Sequence, residues 1–407
     1  MPPDYQLCTA SVICGVFMRV SHSTGLWVTI GILLTVFAGM LVVVHSTERF
    51  QYARQQGQAV MQYETARVLE VVSESITWDS AIPGLARGTQ QLKVKILSGA
   101  HTGEEHVIKN YLSTRFNVYG TPGKTIVVCV DTAKAGTFRI TVNNVHRSPV
   151  LYAAIAFFLI VLAVTGGKKG IRSIAGLAFT IAVILFLFIP MLVQGYSPVF
   201  TSIFVVMLTT AMTVLCINGW SVKSLTAIAG TTLGVIIAGV MSSVFGALAH
   251  VSGFQTEEAE TLILIASSTK MNVGQLLFAG LLIASLGAVM DVAVSISAGI
   301  YEVRRTNPAL SRRRLFQSGM NMGRDIMGAM SNTLILAFAG SAINSLILIY
   351  AYNVNYTQLM NLDTIAIEIL RGLCGSTAVV LTVPIVSVIS AWLFPLFAHG
   401  PDSHENR

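Results

Sequence analysis

Charge is what this chain lacks. Only 11% of its 407 residues are Asp, Glu, Lys or Arg, against about 25% in a typical soluble domain, while 53% are apolar. That balance excludes a single water-solvated core and points to a polytopic membrane protein. Cysteine is also scarce. The five present, Cys8, Cys14, Cys129, Cys216 and Cys374, form no CxxC pair, and Cys129 stands alone in the one large polar region. Both a disulfide framework and a cysteine zinc site are thereby disfavoured. A net charge of +7 would suggest nucleic acid in a soluble protein. Here the basic residues fall where membrane topology needs them, and no nucleic-acid partner is expected.

What is present is a series of long apolar runs. Crossing a hydrocarbon layer about 30 Å thick takes about 20 apolar residues, and eight stretches qualify: residues 25–45, 149–164, 173–193, 199–218, 224–249, 275–300, 326–350 and 375–396. Orientation follows from Lys and Arg in the short connections. With the amino terminus in the cytosol, Arg19, Lys168, Lys169, Arg172, Lys223, Arg304, Arg305, Arg312, Arg313, Arg314, Arg324 and Arg407 all lie inside, and only Lys270 and Arg371 lie outside. Losing one crossing would reverse every later connection. Two shorter stretches, "TLILIASSTK" and "LDTIAIEILRG", have the length of interfacial or re-entrant helices.

The polar region between the first two runs reads as β structure. In "QLKVKI" the apolar Leu92, Val94 and Ile96 alternate with Gln91, Lys93 and Lys95, the period of a half-buried strand. "ARVLEVV", "EEHVIKN", "KTIVVCV" and "FRITV" supply four more strands, separated by Gly and Pro signals. A five-stranded antiparallel barrel is the expected outcome. The fold class is thus mainly α: a helical membrane bundle of about eight spans with a small extracytoplasmic β domain inserted between the first two helices. Its divisions are 1–45 (cytosolic start and first anchor), 46–148 (β domain), 149–397 (seven-helix bundle) and 398–407 (cytosolic tail).

Soluble-enzyme signals are weak. "VYGTPGKT" falls short of a phosphate loop because Val118 stands where the first glycine belongs, and it reads as a turn. "HTGEEH" offers His101, Glu104, Glu105 and His106, but these span a hairpin rather than one helical face. No metal site and no cofactor is expected.

The membrane interior is more informative. Asp291 lies nine residues before the inner end of its run at Ile300, about 13 Å in at about 1.5 Å per residue, with no basic residue within ten positions on either side. A carboxylate facing lipid there is costly, so the side chain is expected to face protein or water or else to be protonated. Gly280, Ala284, Gly287, Asp291, Ser295 and Ala298 recur at three- and four-residue steps, a stripe that allows another helix close approach. In the following span Arg324 and Asp325 mark the cytosolic mouth, and Gly328, Asn332 and Thr333 continue inward. The sixth and seventh spans are expected to pack through these faces, giving an intramembrane polar site of Asp291, Ser295, Asn332 and Thr333, with Arg324 and Asp325 at its mouth. "GTTLG" in the fifth span is a packing signal, and Pro190 and Pro384 are expected to kink their helices.

"GGKKGIRSIAGL", "IPMLVQGYSP", "SLGAVMDVAVSISAGIYE" and "SGMNMGRDIMGAMSNTLILAFAG" together resemble the YibE/F family of bacterial membrane proteins, from about Gln91 to the end of the seventh span. The resemblance implies a bacterial cytoplasmic membrane and an outside β domain, and it carries over no mechanism. The leading expectation is a permease in which Asp291 handles a proton or contacts a solute. The alternative is a non-transporting scaffold or assembly factor whose β domain binds an envelope protein. An intramembrane aspartyl enzyme ranks third, because Asp325 lies about two turns nearer the cytosol than Asp291. Apart from these, the lipid bilayer is the partner.

Overall fold

The computed structural model describes residues 22–46, 61–134, 137–256 and 258–397. The expected cytosolic start and tail, with Arg19 and Arg407, fall outside the described residues, as does Glu257. The chain divides into two compact units, Gln51–Leu162 and Met1–Phe50 with Ala163–Arg407.

The first unit is built on β1 (Gln62–Trp78), β2 (Ala86–Ile96), β3 (Glu105–Leu112), β4 (Thr125–Lys134) and β5 (Thr137–Val145). All five expected strands are present. They pair antiparallel in the order β3-β2-β1-β4-β5, and β3 comes up beside β5, so the sheet curls into a partly closed barrel on the plan of an OB fold. Period-2 alternation supplies the core: Leu92, Val94 and Ile96 of β2 are fully buried with Ala66, Val68, Ile126 and Val128. Two register shifts in β1, at 68/70 and 71/73, bend that long strand so that it serves β4 with its first half and β2 along its length.

The helical unit comprises α1 (His22–Ser46), α2 (Ser148–Val183), α3 (Ile189–Val193), α4 (Pro198–Asn218), α5 (Val222–Leu248), α6 (Ala259–Ser267), α7 (Leu276–Thr306), α8 (Arg312–Ser341), α9 (Ile343–Ala351), α10 (Tyr356–Met360) and α11 (Asp363–Phe397), of which only the part of α2 from Ala163 on belongs to this unit. Among the described residues, five helices are long and apolar enough to cross a membrane, or six if the α8–α9 pair, bent by 61°, counts as one span. The expected count of eight differs for three reasons, the first being that the seventh run is divided at the α8–α9 bend. The second and third runs share one helical stretch, Ser148–Val193, of 46 residues. It is interrupted at Gly167, whose φ of 54° and ψ of −134° leave the helical region. The first run falls in α1, where the apolar helix is Leu33–Val42.

Local chemistry sets the ends and bends. The Ser221 and Ser311 side chains cap α5 and α8 by accepting from the backbone N–H of Ser224 and Arg314. Pro190 lacks the N–H that would reach back one turn, and the wider π turn at Ile184–Phe188 directly precedes it. "LDTIAIEILRG" is no separate interfacial helix. It is the start of α11, which runs unbroken for 35 residues, because neither Gly372 nor Gly375 breaks an apolar helix already packed on its neighbours.

Helix α11 packs on α5, α7 and α8, and α7 also contacts α4 and α5. Leu282, Val289, Val292, Ala293, Ile296 and Ile300 of α7 meet Val379, Val383 and Val386 of α11 in a fully buried cluster. Four glycines let the backbones close on α11. A Cβ at Gly230 would lie 2.2 Å from Val386, at Gly234 2.2 Å from Thr382, at Gly319 2.5 Å from Ser387 and at Gly323 2.1 Å from Val383. Residues 382–387 are thus held between a G-x-x-x-G pair on α5 and another on α8.

Candidate functional site

Asp291 sits near the middle of α7, a helix of 31 residues. One face of α7 is the buried cluster just described. The opposite face carries Gly280, Ala284, Gly287, Asp291 and Ser295, all exposed on this chain, and a Cβ added at Gly280 or Gly287 would meet nothing within 4 Å. The small-residue stripe is therefore a face of the bundle's outside, not the α7–α8 contact that its spacing suggests. Those two helices pack elsewhere: Met322 lies against Gly299, and Gly319 against Ile300.

These contacts give the register. Ser285 and Leu334 both approach Gly375, so antiparallel α7 and α8 bring Asp291 level with residues 328–330. Gly328, Asn332 and Thr333 are exposed as well. The polar positions of the two helices thus lie at similar levels along the bundle. Among the described residues, Asp291, Ser295 and Asn332 make no hydrogen bond to one another, and Thr333 donates to the Ala329 carbonyl at 2.9 Å. Arg324 and Asp325 are exposed further along α8 and form no ion pair with each other.

Sequence reasoning missed the hydroxyls inside the bundle. Thr226 and Ser297 are hydrogen-bonded side chain to side chain, and Ser297 also donates to the Lys223 carbonyl at 2.8 Å, tying α5 to α7. Ser376 donates to the Ser331 carbonyl at 3.3 Å, tying α11 to α8. Thr210, Thr231, Ser331 and Ser390 each bury a hydroxyl oxygen with no partner among the described residues. Part of the signal is legible: Thr231 sits between the packing glycines of "GTTLG", and Ser390 ends the apolar run "VPIVSVIS".

In the β unit "HTGEEH" forms the β2–β3 turn. Glu104 accepts from His106 at 2.8 Å and from His101 at 3.4 Å, and these contacts hold its carboxyl below the ordinary glutamate range. Glu105 instead pairs with Lys93 at 3.0 Å. Among the described residues no three His, Cys, Asp or Glu are arranged to hold a metal ion. "VYGTPGKT" is a turn, with Lys124 donating to the Tyr119 carbonyl at 2.8 Å.

The family model described as "YibE/F-like protein" matches residues 154–396. The chain belongs to the YibE/F family. The match takes in Asp291, Ser295, Arg324, Asp325, Asn332 and Thr333, and extends past the seventh run through α11 nearly to its end. It starts beyond β5, so the YibE/F assignment rests on the helices and not on the barrel. No curated protein and no solved structure matches the chain. Family membership together with several apolar helices identifies a multi-pass membrane protein.

Proposed function

We propose that this YibE/F-family protein is a permease-like transporter of the bacterial cytoplasmic membrane, in which Asp291 handles a proton along the outer polar track of α7. The observation that carries the reading is the carboxylate itself. It stands in mid-helix on a glycine-lined stripe, level with the small and polar positions of α8. A charged group at that depth facing acyl chains would cost several kcal/mol (about 2.5–3.5 on insertion scales), so the track has to be met by water, solute or protein once in the bilayer. Ser295 and Asn332 are the neighbouring groups able to hydrogen-bond a solute, with Thr333 beside them and Arg324 and Asp325 at the mouth.

In this reading the chain crosses eight times with both termini in the cytosol and the barrel outside. The stretch Ser148–Val193 supports two crossings: 46 residues span about 70 Å as helix, more than twice the hydrocarbon thickness, and Gly167 breaks it. The orientation rests on the basic residues at the ends of α5, α7 and α8.

The test is proton entry into proteoliposomes loaded with a pH-sensitive dye after an acid pulse. Wild type should acidify the lumen, and Asp291→Asn should fall to the rate of protein-free vesicles. Equal rates for the two would remove Asp291 from the mechanism, and no wild-type entry would remove proton transport.

A scaffold reading is favoured by a different observation. At one end of the barrel Trp78, Ile82 and Phe116 are 56%, 51% and 60% exposed. Asn117, next to Phe116, hydrogen-bonds both backbone groups of Ala86, which itself pairs with Trp78, so the three apolar side chains gather near one strand end. If an envelope protein docks there, Trp78→Ala with Phe116→Ala should abolish crosslinking to it in cells while Asp291→Asn leaves the crosslink intact.

A further inference from the structure

The basic end of the bundle holds a cavity that the transport reading does not use. It measures ≈ 240 Å³ and lies between the start of α8 and the end of α11, lined by Arg312, Arg313, Phe316, Val388, Ala391 and Trp392. Its two halves differ in chemistry. At the rim are two guanidinium groups and no carboxylate. The Arg312 guanidinium carbon stands 4.7 Å from the centre of the Trp392 ring, a stacking that steadies the group over the indole and leaves its N–H edge free for an anion. The rim is also the amino end of a 30-residue helix. The Ser311 cap takes only the Arg314 N–H, so the backbone N–H groups of Arg312 and Arg313 point out of the helix start, where the helix dipole favours negative charge. The rest of the lining, which serves as its floor, is apolar: Phe316, Ala391 and the half-exposed Val388.

A phosphate alone gains nothing from that floor, and a neutral lipid gains nothing from that rim. A molecule with a phosphodiester on one end and an alkyl chain on the other matches both. Trp392 lies five residues before the end of α11 at Phe397, the depth at which aromatic side chains mark a bilayer surface, and basic clefts between membrane helices on the positive side are suited to anionic headgroups. We propose that this cleft binds one anionic phospholipid, with Arg312 and Arg313 on the phosphate and an acyl chain against Phe316, Val388 and Ala391. The lipid then bridges α8 to α11 at the end away from the α8–α9 bend.

The test uses the full chain purified in a neutral detergent and titrated with dioctanoyl phosphatidylglycerol, dioctanoyl phosphatidylcholine or sodium phosphate, with bound lipid counted by native mass spectrometry. Phosphatidylglycerol should bind saturably at one per chain. Arg312→Gln with Arg313→Gln should weaken it about tenfold or more, since each basic group at the surface adds to the attraction for an anionic headgroup. Lys168→Gln with Lys169→Gln, the same charge change elsewhere, should leave it unchanged. Val388→Trp keeps every charge and fills the floor, and it too should weaken binding. Equal binding of phosphatidylcholine, an equal loss in the lysine variant, or no loss in Val388→Trp would each overturn the site. Competition by sodium phosphate as strong as by the lipid would overturn the lipid assignment in favour of a free anion.

Discussion

Replacing Gly323 with alanine is expected to lower the unfolding temperature of the detergent-solubilised protein, and combining it with Gly230→Ala should leave little monodisperse material. The new methyl at 323 would stand 2.1 Å from Cγ1 of Val383, and that at 230 would stand 2.2 Å from Cγ2 of Val386. Both valines are fully buried and, being β-branched in a helix, have nearly one rotamer each. Neither can swing away, so the helix axes must part. Overpacking of this kind costs about 1–3 kcal/mol per site. The pair acts on opposite sides of the same six-residue segment of α11, so the effects should reinforce rather than substitute for each other. The control is Gly328→Ala with Gly287→Ala, where an added Cβ meets nothing within 4 Å. Alanine is the better helix former by about 1 kcal/mol, and thermal stability measured by size-exclusion after heating should hold or rise. A loss at 287 equal to that at 323 would show that another surface covers the Asp291 stripe in the purified protein.

That contrast marks where sequence reasoning works and where it stops. Small residues at four-residue spacing tell that a helix allows close approach, and "GTTLG" packs as that rule says. They do not tell which neighbour arrives. Gly280, Gly287 and Gly328 have the same look as Gly230 and Gly323, yet the first three are open and the last two are filled. Spacing is a property of one helix, and packing is a property of two. The same limit hid the Arg312–Trp392 stack, whose partners lie on different helices. The barrel was more legible because each strand is half-buried and its alternation reports the buried side directly, as at Leu92, Val94 and Ile96. The break at Gly167 was harder: "GGKKG" has the composition of a loop, but a helix satisfies its own backbone, and only one residue leaves it.

Within the barrel, Gln90→Leu should strip hydrogen-exchange protection from residues 113–122 while leaving the peptides of α7 and α11 protected. Gln90 is an exception to the rule its strand follows, a polar side chain in the inward register and fully buried. Its Nε2 donates to Glu74 at 3.1 Å and to the Gly120 carbonyl at 3.2 Å, and its Oε1 accepts from the Gly120 N–H at 2.9 Å and from Asn110 at 3.2 Å. Asn110 in turn donates to the Val118 carbonyl at 2.8 Å. The amide therefore stands in for a strand partner, satisfying both backbone groups of Gly120 so that the segment after β3 can cross the barrel core. Gly120 is glycine because a Cβ there would lie 2.6 Å from Leu92. Leucine at 90 has the volume but none of the partners, and it leaves the Gly120 N–H and carbonyl and one Asn110 donor bond unmade. At about 1–3 kcal/mol for each buried group left unpaired, the loss exceeds what the added apolar contact returns, and the crossing segment should detach before the sheet does. Exchange that stays slow across residues 113–122 in Gln90→Leu would mean that Val118 and the rest of the core hold the crossing without the amide.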